Sequence, residues 1–168
     1  MSEKREYSKY KIFNSLEEKQ IGHFEEVTKV KTFPSGEVIF EEGDVGDSLY
    51  LLLEGEIEIN QALTLQLSKG DYDTREKAII NLSSDIHPVF GEMSLLGSND
   101  KRTAAVKAIT DCEMGIIMKD DLFAICQSDP DIGYVIMRNV ASIVTDNLIK
   151  ANTNVLKLTT AFSLILEK

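Results

Sequence analysis

The spacing of apolar positions changes character several times along the chain. Leu16, Ile21, Phe24 and Val27 supply one apolar side of a short amphipathic segment. It opens at Ser15, with Glu18 three residues later, as a capping box does. This predicts a packing helix, preceded by a charged, mixed stretch (residues 1–13) that reads as an arm of uncertain order. The period then falls towards two. Phe33-Pro34-Ser35-Gly36 reads as a turn, followed by Val38-Ile39-Phe40 and a second turn over residues 42–47. Ser48-Leu49-Tyr50-Leu51-Leu52-Leu53 reads as a short, strongly apolar strand. Past the Glu54-Gly55 turn, Glu56-Ile57-Glu58-Ile59 alternates acid and isoleucine, as a half-buried strand does. Short strands with Gly-rich turns argue for a β-sandwich, roll or barrel.

Leu63, Leu65 and Leu67 alternate, and residues 78–82 look like a returning strand. Between them residues 68–77 read as a long polar tip, a surface insertion of the tolerated kind. Ala104-Ala105-Val106-Lys107-Ala108 and Glu113-Met114-Gly115-Ile116-Ile117-Met118 read as two strands across a Thr110-Asp111 turn. A short helix opens at Asp120-Asp121, with acids where the helix dipole favours them. It stops at Ser128-Asp129-Pro130, where Asp129 suits a cap and Pro130 a first helical position.

From Asp131 onwards nothing breaks helical periodicity, and about 37 residues make a rod of about 55 Å. One stripe, Ile132, Ile136, Val140 and Ile143, suits the body of the domain. A second stripe runs Met137, Ala141, Val144, Leu148, Ala151, Val155, Leu158, Phe162, Ile165, with spacings of four and three in turn. That is a heptad seam, and a roll of this size is too short to cover it. A second copy in a parallel dimer is the simplest partner.

Charge narrows the field. The formal net charge is −10, and residues 32–68 hold no Lys or Arg while Glu37, Glu41, Glu42, Asp44, Asp47, Glu54, Glu56 and Glu58 all lie there. Such a surface repels phosphate backbones, so nucleic acid is not expected as a partner. No stretch approaches the ~20 apolar residues of a membrane span, and the start lacks a signal-peptide pattern. Cys112 and Cys126 lie in apolar surroundings and read as reduced thiols of a cytoplasmic protein. The histidines, His23 and His87, have no metal-ligand spacing, so no metal is expected. No nucleophile–base arrangement stands out, so the chain reads as a non-enzyme.

Against the acidic field Arg102 stands apart. Gly91-Glu92-Met93-Ser94 opens a loop of small and polar residues that ends at Arg102-Thr103-Ala104 and runs into a strand. Backbone N–H groups near Gly91 and after Arg102 can form an anion-binding concavity, and a guanidinium fork suits phosphate oxygens. Glu92 can accept a hydrogen bond from a sugar hydroxyl. The order Gly-Glu-small-apolar, loop, Arg-Thr-Ala-x-Val resembles the phosphate-binding cassette of cyclic-nucleotide-binding domains, in their catabolite-activator branch. Residues 34–50 and the helix–Asp-Pro–helix around Pro130 are similar to the same family, so the resemblance covers roughly residues 15–150. The chain departs from the family in the stretch before the cassette. It spends about thirty residues where members use a short hairpin, and Ser83 to Pro88 replaces a compact Gly-containing turn.

The resemblance implies a mostly β fold with flanking helices (α+β), a cupin-like double-stranded β-helix or jelly roll followed by a long C-terminal helix. The expected division is an arm at 1–14, a cyclic-nucleotide-binding β-roll at 15–129 and a dimerisation helix at 130–168. The expected ligand is cyclic AMP, or else cyclic GMP, held by Gly91, Glu92, Met93, Ser94, Arg102, Thr103, Ala104 and Asn147. Asn147 enters by position alone: counting from Pro130, it falls where the activator branch has a base-contacting threonine. Activator proteins continue into a DNA-binding domain, whereas this chain ends at Lys168 within the seam, so no DNA-binding output is expected. The function implied is a cyclic-nucleotide sensor that homodimerises and signals to an unknown downstream protein. Two alternatives stand beside it: a degenerate roll serving as a dimeric scaffold, and a piece of a longer channel- or kinase-type protein.

Overall fold

Residues 6–66, 72–97 and 100–166 are described in a computed structural model of the chain. Among them, eight strands form two antiparallel sheets. The first has the order β1 (Lys29–Phe33), β8 (Cys112–Met118), β3 (Ser48–Glu54), β6 (Val89–Phe90). The second runs β2 (Val38–Phe40), β7 (Ala105–Ala108), β4 (Glu56–Gln66), β5 (Tyr72–Ser83). The helices are α1 (Glu18–Val27), α2 (Glu92–Leu96), α3 (Lys119–Ser128) and α4 (Pro130–Leu166). This is the β-roll with a long C-terminal helix that the sequence predicts.

The apolar run in β3 follows from its central place, because both of its faces are covered. Leu49 and Leu51 pack with Phe13, Phe24, Leu122, Ile132 and Ile136 in a layer between sheet and helices. Tyr50 and Leu52 face the other way, into the layer between the sheets, with Phe33, Ile57, Phe90, Val106 and Met114. In β4 the acid–isoleucine alternation buries Ile57 while Glu56 stays exposed. Strand β1, which the sequence analysis does not single out, pairs Lys29 to Phe33 with Ile116 to Cys112.

Several expectations shift in detail. The cap of α1 lies later than Ser15–Glu18: Gln20 Oε1 accepts the Glu17 N–H at 2.9 Å. Ser15 instead takes a left-handed φ of 70°. The stretch read as a polar tip is shorter than expected, because β5 already begins at Tyr72. Residues 68–71 of that tip, and Leu67 before it, lie outside the described residues. Within the stretch read as an arm, Tyr7–Lys9 and Lys11–Phe13 are 3-10 turns, and Ile12 and Phe13 are buried in the core. The Tyr10 hydroxyl donates to Leu52 O at 2.6 Å, and burial pushes its pKa up to about 12. Residues 1–5 of the arm lie outside the described residues.

Asp129 caps α4 as expected, its Oδ1 accepting the N–H groups of Asp131 and Ile132 at 3.0 and 3.2 Å. The helix is 37 residues long, and its two stripes part company. Ile132, Ile136, Val140 and Ile143 are buried. Leu148, Val155, Leu158, Phe162 and Ile165 are between 59% and 70% exposed. Among the described residues no helix is long and apolar enough to cross a membrane.

Candidate functional site

The site lies where β3, β6, α2 and the loop into β7 meet. Residue 91 must turn sharply from β6 into α2 and also pass close to Arg102. A side-chain Cβ there would stand 2.7 Å from Arg102 Nη1 and 3.1 Å from Ser48 O, and the residue has φ 85°. Only glycine meets both demands without strain. Gly46 is required for a similar reason, since a Cβ there would stand 2.1 Å from Ser94 Oγ. The 43–46 turn is in turn stitched to the cassette. Arg102 N donates to Asp44 O at 2.8 Å, and Gly43 and Gly46 donate to Arg102 O and Asp100 O at 2.9 and 2.6 Å.

Arg102 is 4% exposed, an unusual depth for a cation. Its Nη1 donates to Ser94 Oγ at 2.8 Å and to Gly91 O at 3.2 Å. Its Nη2 donates to Ser48 O at 2.9 Å and Ser48 Oγ at 3.0 Å. The guanidinium lies 4.3 Å from the Phe40 ring centroid and 5.4 Å from that of Tyr50, a cation–π arrangement. Tyr50 is itself stacked on Phe90 at 5.2 Å. Burial lowers the arginine pKa from its ordinary value, against the pull of Tyr50 and Asp47. Its Nε–H is buried with no hydrogen-bond partner among the described residues. A buried charged donor left over in this way fits an anionic ligand, which would supply the missing acceptor.

Glu92, the first residue of α2, is 5% exposed. Asn147 Nδ2, on α4, donates to its Oε1 at 3.2 Å. Burial raises the carboxyl pKa, while its own backbone N–H, the Asn147 amide and the charge of Arg102 pull it back. Glu92 and Arg102 are therefore not a surface ion pair: both are buried, and they bond to different partners. One end of the site offers a cation with an unspent donor, the other an acceptor of high proton affinity. A ligand carrying an anion and a neighbouring hydroxyl matches both.

The structure brings Gly91, Glu92, Ser94, Arg102 and Asn147 together. Thr103 is exposed, its hydroxyl 3.9 Å from Met93 Sδ, and Ala104 is half-buried beside β7. The sequence reading misses Ser48, Phe40 and Tyr50, which grip the guanidinium from β2 and β3. The available signal is Ser48 itself, a lone hydroxyl at the head of an apolar strand.

A family model, the cyclic nucleotide-binding domain, matches residues 30–129. The chain belongs to the cyclic nucleotide-binding domain family. The match spans the cassette and the strands around it. A curated relative, the cyclic AMP receptor protein of Thermus thermophilus, is 27% identical over 122 residues, covering 73% of this chain and 50% of that protein. Another, the cAMP-activated global transcriptional regulator of Mycobacterium tuberculosis, is 27% identical over 132 residues, 77% of this chain and 53% of that protein. The chain thus spans about half the length of these curated relatives. Among solved structures, a putative cyclic nucleotide-binding protein from Geobacter metallireducens superposes with a TM-score of 0.63 at 27% identity, covering 83% of this chain and 92% of that one. As a cyclic nucleotide-binding domain, the chain has its matched region ending at Asp129, just before α4.

Proposed function

We propose that the chain is a non-enzymatic regulatory module that binds a cyclic purine nucleotide, cyclic AMP in preference to cyclic GMP, and pairs with a second copy through α4. The observation that carries the ligand is Arg102, buried within the matched region and holding an Nε–H without an acceptor among the described residues. In this reading Arg102 takes the cyclic phosphate, Glu92 accepts from the ribose hydroxyl, and Gly91, Met93, Ser94, Thr103, Ala104 and Asn147 complete the site. The preference for cyclic AMP rests on the names of the relatives. Pairing is supported by the apolar seam that α4 leaves exposed. Cys112 and Cys126 are free thiols, in keeping with a reducing compartment such as the cytoplasm. The downstream recipient is taken to be a protein, since the acidic surface suits no nucleic acid.

Calorimetry with cyclic AMP, cyclic GMP and a cyclic dinucleotide tests the ligand. Arg102→Lys keeps the charge but loses the fork that Ser48, Ser94 and Gly91 hold, so affinity is expected to fall roughly 30-fold or more. Glu92→Ala is expected to weaken binding over the same range. Unchanged affinity in both variants would overturn the site. Heat from none of the three ligands would leave the degenerate scaffold as the better account.

A further inference from the structure

We propose that Asn147 is a positioning residue for Glu92: from α4 its carboxamide holds the cassette carboxylate ready for a ligand hydroxyl, so α4 acts on affinity through Glu92 and not through the base. The inference rests on the reading that this site takes a cyclic nucleotide.

A buried carboxylate must be held by donors, because it can only accept. Glu92 begins a helix of five residues, too short to orient a long side chain by its own packing. The side chain that donates to it comes from 55 positions away, at 3.2 Å. Position 147 is well placed to act as the fixed end. Ile143, one turn earlier on α4, is buried in the core, and the neighbouring Asp146 pairs with Lys11 of the N-terminal segment. Asn139, two turns earlier, is buried and donates to Ile12 O and Asn14 O at 2.9 and 2.7 Å. The helix is therefore anchored up to the residue that meets Glu92, and residues 148–165 beyond it are exposed.

Asn147 Nδ2 carries two N–H groups, and the bond to Glu92 takes one of them and sets the carboxamide towards the cassette. A carboxylate held by an amide keeps one rotamer, and its free lone pairs stay available to a ribose hydroxyl. Removal of the amide leaves the acceptor present but loosely placed. The expected effect is then confined to ligands that carry the hydroxyl.

The test is calorimetry of the wild type and Asn147→Ala with cyclic AMP, cyclic GMP and 2′-deoxy cyclic AMP. Asn147 is exposed, so the variant is expected to fold. Its affinity is expected to fall about tenfold for both cyclic AMP and cyclic GMP, and to change little for the deoxy analogue. Asn147→Asp, which faces Glu92 with a second carboxylate, is expected to bind worse than Asn147→Ala. An equal loss with the deoxy analogue, an altered ratio between the two purines, or no loss at all would each overturn the proposal. A denaturation cycle on the ligand-free protein with Glu92→Ala, Asn147→Ala and the double variant reads the contact independently. Additive effects there overturn the contact itself. Wild-type protein that binds none of the three ligands overturns the functional reading, which the cycle does not touch.

Discussion

Glu92 and Arg102 bury opposite charges by different means. Arg102 spreads its charge over two serines, two carbonyls and two aromatic rings. Glu92 has far less support, and burial leaves its carboxyl binding a proton more tightly than an ordinary glutamate, whose value is 4.5. The folded protein therefore holds that proton to higher pH than the unfolded chain does. The stabilisation this brings is present at low pH and is lost as pH rises through the folded value. Glu92→Gln cannot ionise, so it is expected to melt above the wild type at neutral pH. The gap should close as pH falls into the ordinary carboxylate range. Thermal melts from about pH 4 to about pH 8 check this, and a gap independent of pH would assign the effect to some other cause. Both charged residues are legible in the sequence as chemistry. Their burial is not, because Arg102 is enclosed by Ser48, Phe40 and Tyr50 and Glu92 is met by Asn147, all more than forty positions away from the charge they meet.

At the scale of elements, local patterns locate α1 well and its start poorly. Ser15-x-x-Glu18 and Glu17-x-x-Gln20 are both plausible boxes, and the backbone at Ser15 turns left-handed, which removes the first. Gln20→Ala is expected to cost about 0.5–1.5 kcal/mol in urea denaturation through the lost bond to Glu17 N–H, whereas Ser15→Ala has no cap to lose. A cost confined to Ser15 would reverse the assignment. The far half of α4 makes a different point. Its seam is flanked by Asn152, Asn154, Thr159 and Ala161, none of them charged. Leu158→Asp sets a carboxylate in that seam and is expected to give monomers in light scattering. Because no charged flank contributes, wild-type self-association should be nearly insensitive to added salt. A wild type that is monomeric at high concentration would remove the seam from the account.

At the scale of the whole molecule, the N-terminal segment closes the structure. Phe13 packs on Phe24 at 5.2 Å, Tyr10 reaches across to Leu52, and the Asn139 amide of α4 donates to the carbonyls of Ile12 and Asn14. Phe13→Ala is therefore expected to cost about 3–5 kcal/mol, a large part of the stability of a domain this size. Urea or thermal unfolding measures it, and a loss below 1 kcal/mol (on the order of a surface change) would mean the segment only rests on the core.

The division between sequence and tertiary structure follows from range. The cassette order from Gly91 to Ala104 is legible through its resemblance to a family, whereas the strands with alternating or continuous apolar runs, the Asp129 cap and the two stripes of α4 are local patterns. Each is imposed by backbone geometry within a few residues, so the sequence alone determined them. The burial of residues 7–13, the clasp on Arg102 and the bond from Asn147 to Glu92 were decided only by the fold. A mixed, charged stretch carries no periodicity to mark it as core, and Tyr7, Tyr10, Ile12 and Phe13 become core because α1, β3 and α4 leave a gap that they fill. Asn147 likewise meets Glu92 because the core stripe of α4 sets that turn of helix beside α2, a meeting no local pattern encodes.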